Sequence, residues 1–490
     1  MSFLKQYFEL TNEYKIKYGD NTILLMQCGA FFEVYAKTDN DGTIHGSNIL
    51  EYCRITDLKR AYKSPGHIMA GFRDYEIDRY IRKLQDNGIT SVVYEEYAVA
   101  SDGSKLRKKQ GVYSPGTYIQ DDETQITNNI MCIWIEEKNT RFCQKKIFGI
   151  TNIDIITGRI SIFEHMTHND HVPTTYDEIE RFYSIYNPSE VIIISNMTIS
   201  HINDVISFAE IYPKSIHTIS YNVDLENIIA KRCFLQNYQE EVIGKYFNPI
   251  ICNSLFSSHN NEVYAMASLT YLLHFVWEHS PHLVDKLKEP VFENNSSRVI
   301  LANHSLEQLN IIPKNNNKCK KSSLLTLLDN NITAIGKRRF KRNLLNPSFD
   351  SQYLLNEYTI GEYILGCREN CNNWRKDMYE LKDLEKMYRF IISEKILPQS
   401  IYHLLTTVKL IHNLFKNIEQ NHPILKTYIN IDHIDEYCNT IENMVENTFR
   451  MDVCENMSGS IDYSVLFIHE GEDNELDSLS LKLKSSEAEL

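Results

Sequence analysis

Glycine and proline are scarce in this chain, with 18 glycines and 12 prolines among 490 residues. Because these two residues interrupt helices and strands most strongly, their scarcity predicts a mostly regular, helix-rich structure. The sequence also lacks an apolar run long enough to cross a membrane, and its N-terminus lacks the apolar core of a secretory signal. We therefore expect an intracellular protein with no membrane partner.

Cysteine and histidine form no clear ligand set. The 11 cysteines are scattered, which predicts reduced thiols rather than a disulfide framework. Cys367 and Cys371 have no second pair at zinc-finger spacing. His165, His168 and His171 lack a paired ligand cluster nearby, a pattern more typical of a polar loop than of a metal site. No metal site is predicted.

An excess of positive charge is also missing, since the formal net charge is −14. This acidity argues against a protein coated by nucleic acid over its whole surface. It leaves room for a local DNA site, because phosphates respond to nearby charge rather than to the distant total. The length and the hydrophobic content of 42% allow roughly three or four domains with real cores.

No catalytic motif is found, so no catalytic residue is predicted. Gly336-Lys337 resembles part of a phosphate-binding loop, but Asn331 stands where a glycine is needed and Arg338 where serine or threonine is needed. The basic cluster at residues 337–342 is better explained as helix surface and packing than as a DNA contact.

What is present is a patterned stretch, Gly29-Ala30-Phe31-Phe32-Glu33-Val34-Tyr35, which follows the apolar run at residues 23–26. Side chains alternate along a strand, so Phe31, Glu33 and Tyr35 should share one face. Phe32 and Val34 should hold the other face on a core. An ordinary half-buried strand with one surface glutamate would show the same pattern.

Residues 24–33 resemble the start of the mismatch-binding domain of the MutS family, which carries a Gly-Asp-Phe-Tyr-Glu run there. Ala30 replaces the aspartate and Phe32 the tyrosine, whereas the Phe-x-Glu pair is intact. Three further segments resemble the family in the same order: Met69–Phe72, Val92–Glu96 and Ser114–Thr117. The resemblance implies a small mixed α/β mismatch-binding domain over residues 1–120.

The resemblance also implies a role for the pair. Phe31 would stack on a mispaired or unpaired base from the minor groove, and Glu33 would hydrogen-bond that base. A basic run precedes the end of this domain, with Lys105, Arg107, Lys108 and Lys109. It is either a solvated loop or a DNA backbone contact beside the Phe31 wedge.

Residues 128–250 read as three strands followed by alternating helices and strands, which indicates a mixed sheet flanked by helices. The run Gly149–Arg159 resembles the family's connector domain, an RNase H-like fold. Asp154, Glu164 and Asp177 suggest a two-metal nuclease only superficially. We reject that interpretation, because fold does not imply function and the family connector is not catalytic.

Residues 255–490 have a helical pattern, in which Leu301–Ile311, Ile335–Arg342 and Asp383–Arg389 resemble the family's all-helical lever and core domain. Residues 470–477 resemble the segment where the lever passes into the clamp. The resemblance thus implies the N-terminal half of a MutS-like protein, cut off at the start of the clamp. The ATPase domain, with its ATP and Mg²⁺, and the dimerising C-terminal regions would be missing, so whether this chain is part of an enzyme stays open.

The function predicted is therefore binding of double-stranded DNA with mismatches or small loops. A relative that binds branched or recombination DNA is an alternative, although it would not need the Phe31-x-Glu33 pair. One part of a larger ATPase, with or without an appended nuclease, is a second alternative. A protein-interaction scaffold whose DNA site has decayed is a third, which the acidic charge balance leaves open.

Overall fold

The computed structural model describes residues 3–39, 41–64, 66–99, 105–119, 125–139, 144–167, 175–222, 228–259, 261–293, 305–313, 322–429, 433–457 and 465–488. The chain divides into two compact units. The first is Met1–Asn295 with Leu301–Ser305, and the second is Ser296–Ile300 with Leu306–Leu490. The first unit holds two mixed sheets and the second is helical, so the predicted combination of α/β and all-helical regions is confirmed.

The first sheet is built from the N-terminal residues. In chain order the elements are α1 (Phe3–Tyr18), β1 (Thr22–Cys28), β2 (Phe31–Thr38), β3 (Ile44–His45), α2 (Ile49–Thr56), β4 (Ala61–Ser64), β5 (His67–Arg73), a 3₁₀ turn (Asp74–Glu76), α3 (Ile77–Asp86), β6 (Thr90–Val99) and β7 (Lys105–Tyr113). The strand order is β4-β5-β2-β1-β6-β7, with β3 beside β2. Strands β1 and β6 are parallel and the other neighbours antiparallel.

Each face of the first sheet has its own core. Phe32, Val34 and Ala36 of β2 pack with helices α2 and α3. Tyr35 lies on the opposite face, among the aromatic residues of α1. The predicted alternation along β2 is therefore confirmed, and it fixes which side chains of this strand face which helix.

The second sheet contains β8 (Asn129–Asn139), β9 (Gln144–Asp154), β10 (Arg159–Thr167), β11 (Glu190–Ser195), β12 (Ser215–Ser220) and β13 (Val291–Phe292). Its helices are α4 (Asp177–Tyr186), α5 (Ile199–Phe208), α6 (Ile228–Arg232), α7 (Gln236–Ile243), α8 (Pro249–Ser258) and α9 (Val263–His279), with a 3₁₀ turn at Pro281–Val284. The order is β12-β11-β8-β9-β10-β13. Strands β8, β9 and β10 are antiparallel, and β11 and β12 run parallel to β8, so the sheet is mixed, as the order of strands and helices predicted.

Helix α9 packs on the second sheet. A Cβ added at Gly149 of β9 would lie 2.2 Å from the backbone carbon of Tyr264, so glycine permits this close approach. Thr151 Oγ1 and Ser268 Oγ are 2.6 Å apart across the same interface. The predicted start of the helical domain at residue 255 thus falls inside the first unit. An apolar helix shows in sequence that it is buried, but not which partner buries it.

The second unit contains α10 (Ser305–Gln308, which begins at the unit boundary), α11 (Leu324–Leu328), α12 (Ala334–Leu345), α13 (Ser351–Gly366), α14 (Arg368–Tyr379), α15 (Leu384–Ile392), α16 (Pro398–Asn421), α17 (Pro423–Ile429), α18 (Ile434–Thr448), α19 (Met451–Asn456) and α20 (Asn474–Ala488).

Arg338 of α12 is buried and binds both oxygens of Asp383 at 2.7 Å. This side chain of the basic cluster is therefore used in packing, as predicted. None of the described helices is long and apolar enough to cross a membrane.

Candidate nucleic-acid interface

Phe31 lies at the tip of a tight hairpin. Strands β1 and β2 are joined by Gly29 and Ala30 alone, and Phe31 pairs with Cys28 across the turn. Gly29 has φ +64°, a conformation that glycine adopts without steric strain. The side chain of Phe31 is 41% exposed, whereas that of Phe32 is 2% exposed. A large aromatic ring is thus presented to solvent by a short, hydrogen-bonded loop.

Arg73 flanks this ring. It is the cross-strand partner of Phe31, and its guanidinium carbon lies 5.7 Å from the centre of the Phe31 ring. The next residue, Asp74, donates its backbone N–H to the carbonyl of Ala30 at 3.0 Å. The exposed aromatic ring and an exposed cation therefore lie side by side. The pairing of β2 with β5 holds the backbone of both residues.

Glu33 shares the sheet face of Phe31, as predicted, but its residue is only 6% exposed. Tyr35 donates its hydroxyl hydrogen to Glu33 Oε2, and Lys63 Nζ lies 3.2 Å from the same oxygen. Gly71 is the residue opposite Glu33 on β5. A Cβ added there would lie 3.1 Å from Glu33 Cγ. The carboxylate is consequently held beside the sheet with its charge compensated, rather than projecting as a surface glutamate.

The basic run forms the edge strand β7 and is not a loop. Lys105 Nζ and Arg107 Nη2 each lie 2.7 Å from the carboxylate of Glu96. The backbone N–H of Gly29 donates to the same carboxylate at 3.2 Å. Partial burial alone would raise the pKa of Glu96, but Lys105 and the neighbouring donors hold that pKa below its ordinary value. Glu96 therefore links the loop of the β1–β2 hairpin to the basic strand β7 through hydrogen bonds and ion pairs.

The four basic side chains differ in what they can do. Arg107 is mostly buried, donates from Nε to the carbonyl of Gln27 at 2.7 Å, and lies over the ring of Phe3. Lys108 and Lys109 are exposed, and Lys108 lies over the ring of Tyr97. Lysines on an edge strand also discourage pairing with another chain, so their exposure has a structural explanation as well. Their contact with DNA stays a prediction.

This surface is completed by four residues to which the sequence alone assigned no role in the site: Lys63, Gly71, Arg73 and Glu96. Each of them acts on a residue of the β1–β2 hairpin from another strand. The residue after Gly71-Phe72 is Arg73, where the resembling family segment continues with proline. That departure is a sequence signal that singles out Arg73, but only the pairing of β2 with β5 places it beside Phe31.

The acidic residues of the second sheet support its fold. Asp154 accepts from the backbone N–H of Asn128 at 3.1 Å and from Thr157 Oγ1 at 2.7 Å. Glu164 accepts from the backbone N–H groups of Tyr264 and Ala265, in the first turn of helix α9, at 2.9 and 2.8 Å. In the described ranges, no group of three or more His, Cys, Asp or Glu side chains is placed to hold a metal ion. His168 and His171 lie outside the described residues.

Comparisons with known proteins agree with this architecture. The sequence model of MutS domain I matches residues 1–122, and that of MutS domain III matches residues 304–475. A putative DNA mismatch repair protein of Acanthamoeba polyphaga mimivirus, described as a mutS homologue, is 25% identical over 97% of this chain and 44% of its own length. The DNA mismatch repair protein MutS of Clostridioides difficile is 24% identical over 90% of this chain and 42% of its own length.

A mitochondrial DNA mismatch repair protein of Sarcophyton glaucum, a mutS homologue, is 25% identical over 84% of this chain and 46% of its own length. The chain thus spans less than half the length of these relatives. The two domain models together match more than half of its residues, in the order predicted from the Phe31 segment and the helical segments. This chain belongs to the MutS family.

Proposed function

We propose that this chain binds duplex DNA at mismatched or unpaired bases, with Phe31 inserted as a wedge from the minor groove. The observation that carries the proposal is the exposed ring of Phe31 at the tip of a two-residue hairpin. An aromatic wedge must be exposed to reach the base stack and rigidly held to unstack it. Insertion is least unfavourable where a base is already mispaired, and this difference would provide the discrimination.

In this proposal Glu33 accepts a hydrogen bond from the displaced base. A bare carboxylate beside phosphates would be repelled, but the ion pair with Lys63 compensates its charge. Oε2 is occupied by Tyr35 and Lys63, so we assign Oε1 as the oxygen that meets the base. Contacts to the DNA backbone are assigned to Lys105, Lys108 and Lys109, with Arg107 holding the strand beneath them.

ATP-dependent switching and dimerisation are proposed for the complete protein only. The chain matches less than half the length of its relatives, and ATP with Mg²⁺ would be bound by the part of the family that it does not match. Lesion binding by residues 1–120 and switching by that other part would then be separable activities.

The test is fluorescence anisotropy at one fixed salt concentration, since salt alone changes affinity for DNA. A labelled duplex with one unpaired thymine is compared with its matched duplex, using the wild-type chain and Phe31→Ala. Loss of one stacked base should reduce affinity for the unpaired-base duplex by about 1–3 kcal/mol, roughly 5- to 150-fold. The matched duplex should be bound almost unchanged.

Tyr212→Ala is the control, because Tyr212 is an aromatic residue that is 70% exposed and lies by the second sheet. It should keep the wild-type preference. Equal binding of the two duplexes by the wild type, or a full preference retained by Phe31→Ala, would contradict the proposal.

A further inference from the structure

We propose that Glu96 is a positioning residue with two effects on the DNA site. Its carboxylate holds the β1–β2 hairpin ready for insertion of the wedge, and it also neutralises Lys105, which weakens binding to every duplex. The inference rests on the proposed function and adds the residue that separates selective from general DNA binding. Glu96 acts through the backbone of the hairpin and contacts no base.

The loop of the hairpin, Gly29 and Ala30, is held by one hydrogen bond on each side. On the side of β5, the backbone N–H of Asp74 donates to the carbonyl of Ala30 at 3.0 Å. On the side of β6, the backbone pairing with β1 reaches as far as Met26. Beyond that point Glu96 Oε1 accepts from the backbone N–H of Gly29 at 3.2 Å. The side chain of Glu96 therefore continues, at the loop, the connection that backbone pairing provides along the strand.

Glu96 is itself fixed by its neighbours. Its backbone N–H donates to Gln27 Oε1 at 3.0 Å. Arg107, its cross-strand partner on β7, donates from Nη2 to Glu96 Oε1 and from Nε to the carbonyl of Gln27, both at 2.7 Å. The side chain of Glu96 is 16% exposed. The acceptor for the N–H of Gly29 is thus in position before DNA is bound.

The second effect of Glu96 concerns charge. Its other oxygen, Oε2, lies 2.7 Å from Lys105 Nζ, so the two side chains together carry no net charge. Lys105 is 46% exposed and lies beside the loop, since a Cβ added at Gly29 would lie 3.8 Å from its Nζ. General affinity for DNA depends on cations that neutralise phosphates, and an ammonium paired with a carboxylate contributes less to it. Glu96 therefore weakens binding to matched and unpaired-base duplexes alike, and the wedge restores affinity only at an unpaired base.

Two conservative variants separate these effects. Glu96→Gln keeps an oxygen for the N–H of Gly29 and removes the charge. Glu96→Asp keeps the charge, but its side chain is shorter by one methylene, which withdraws the acceptor from Gly29. The long side chain of Lys105 can follow the shortened carboxylate, so the ion pair is kept.

Glu278→Gln is the matched control for the loss of charge. Glu278 is also partly buried and accepts from a lysine, Lys17 Nζ at 3.0 Å, near the end of α1. The other end of α1 is Phe3, whose ring centre lies 4.7 Å from the guanidinium carbon of Arg107. The helical rise puts Lys17 roughly 20 Å from Phe3, and exposed charges that far apart are largely screened by salt. This control should leave DNA binding unchanged.

Anisotropy titrations of the full chain compare the unpaired-thymine duplex with its matched duplex at several salt concentrations. Glu96→Gln should keep the wild-type ratio of the two affinities and bind both duplexes severalfold more tightly. Its slope of log affinity against log salt should steepen by about 0.9, as expected for one additional free cation. Glu96→Asp should bind the matched duplex as the wild type does and lower the ratio roughly five- to tenfold, because a hydrogen bond that orders the hairpin is lost.

Hydrogen–deuterium exchange of peptides that cover β1 and β2 adds a readout without DNA. Exchange should accelerate in Glu96→Asp and stay as in the wild type in Glu96→Gln. Thermal unfolding shows whether each variant folds, and either variant alone can overturn the inference.

A wild-type ratio in Glu96→Asp, or a ratio that falls in Glu96→Gln, overturns the inference and leaves the proposed function intact. Unchanged affinity of Glu96→Gln for the matched duplex overturns it as well. Equal binding of the two duplexes by the wild type would instead refute the proposed function. Unchanged exchange in Glu96→Asp would refute the positioning role independently of DNA.

Discussion

Glu190, at the start of β11, accepts a hydrogen bond of 3.1 Å from the backbone N–H of Gly116, in the segment that follows the first sheet. Ser114 donates its hydroxyl to the same oxygen, and His217 Nε2 lies 2.7 Å from the other oxygen. The carboxylate is fully buried. A Cβ added at Gly116 would lie 2.5 Å from Ile130 Cγ1, so only glycine fits here. This contact joins the domain that carries Phe31 to the second sheet.

Removal of the carboxylate should weaken this junction strongly. Glu190→Ala leaves the buried donors of Ser114 and Gly116, and the partly exposed His217, without their acceptor. Breaking a buried pair of this kind reduces the free energy of unfolding by about 3–5 kcal/mol. Urea unfolding followed by tryptophan fluorescence measures it, with buried Trp134 of β8 as a reporter. Glu241→Ala, at an exposed pair with Lys245, should change the free energy by less than about 1 kcal/mol. An equal loss of unfolding free energy in the two variants would contradict the role assigned to Glu190 at this junction.

Acid should also destabilise this region through His279, a buried histidine at the end of α9 that is near enough to Glu190 for their charges to interact. Burial lowers the pKa of this imidazole below its ordinary 6.5. Because the folded state disfavours the charged form, the unfolded chain takes up the proton first, so the free energy of unfolding should fall as the pH drops below about 6.5. Burial alone would raise the pKa of Glu190, but the hydrogen bond and charge of His217 hold it below 4.5, which adds a second loss at lower pH.

The check is the urea midpoint measured from pH 7.5 to 4. His279→Gln should flatten the decline that begins below about pH 6.5, since it removes the group whose proton uptake in the unfolded chain causes it. His282→Gln, at a half-exposed histidine, should leave the decline as in the wild type. A wild-type midpoint that is constant across this range would refute the prediction.

Gly71→Ala should disturb the hairpin from the strand opposite. The added Cβ would lie 2.6 Å from the carbonyl oxygen of Phe32 and 3.1 Å from Glu33 Cγ, so β2 must shift. Overpacking of this kind typically costs about 1–3 kcal/mol of stability. Thermal unfolding measures the loss. Gly361→Ala, in helix α13 with nothing within 4 Å of the new Cβ, should be neutral or slightly stabilising. A neutral Gly71→Ala would mean that the β2–β5 pair can widen without loss.

Arg73→Ala should weaken DNA binding without changing the preference for unpaired bases. In the proposed complex the exposed guanidinium beside Phe31 would contact a phosphate, and phosphate contacts do not read sequence. The slope of log affinity against log salt should decrease by about 0.9 for both duplexes. Arg79→Ala, which removes an exposed arginine already paired with Glu76, should leave the slope unchanged. A selective loss on the unpaired-base duplex would show that Arg73 contacts the base instead.

The alternation in residues 31–35 could be predicted because it is local. Side chains of a strand change face at every residue whatever surrounds them, so Phe32 and Val34 faced one core and Tyr35 the other, as expected. For the basic run at residues 105–109, local alternation did not predict the surroundings of the side chains. Sequence alone left a loop and a DNA contact open, and strand pairing placed Arg107 under Glu96 while Lys108 and Lys109 stayed exposed.

The sequence by itself determined the family segments, the order of the sheets and the helical region, and the strand face that Phe31 shares with Glu33 and Tyr35. Periodicity, turn residues and motif spacing act over a few residues, and these features need nothing more. Only the tertiary structure decided that Glu33 is covered by Lys63, that Arg73 lies beside Phe31, and that helix α9 packs on the second sheet. Each of these contacts joins residues far apart in the chain. Their formation depends on which strands and helices become neighbours, and the burial of apolar faces selects that arrangement only when the whole unit folds.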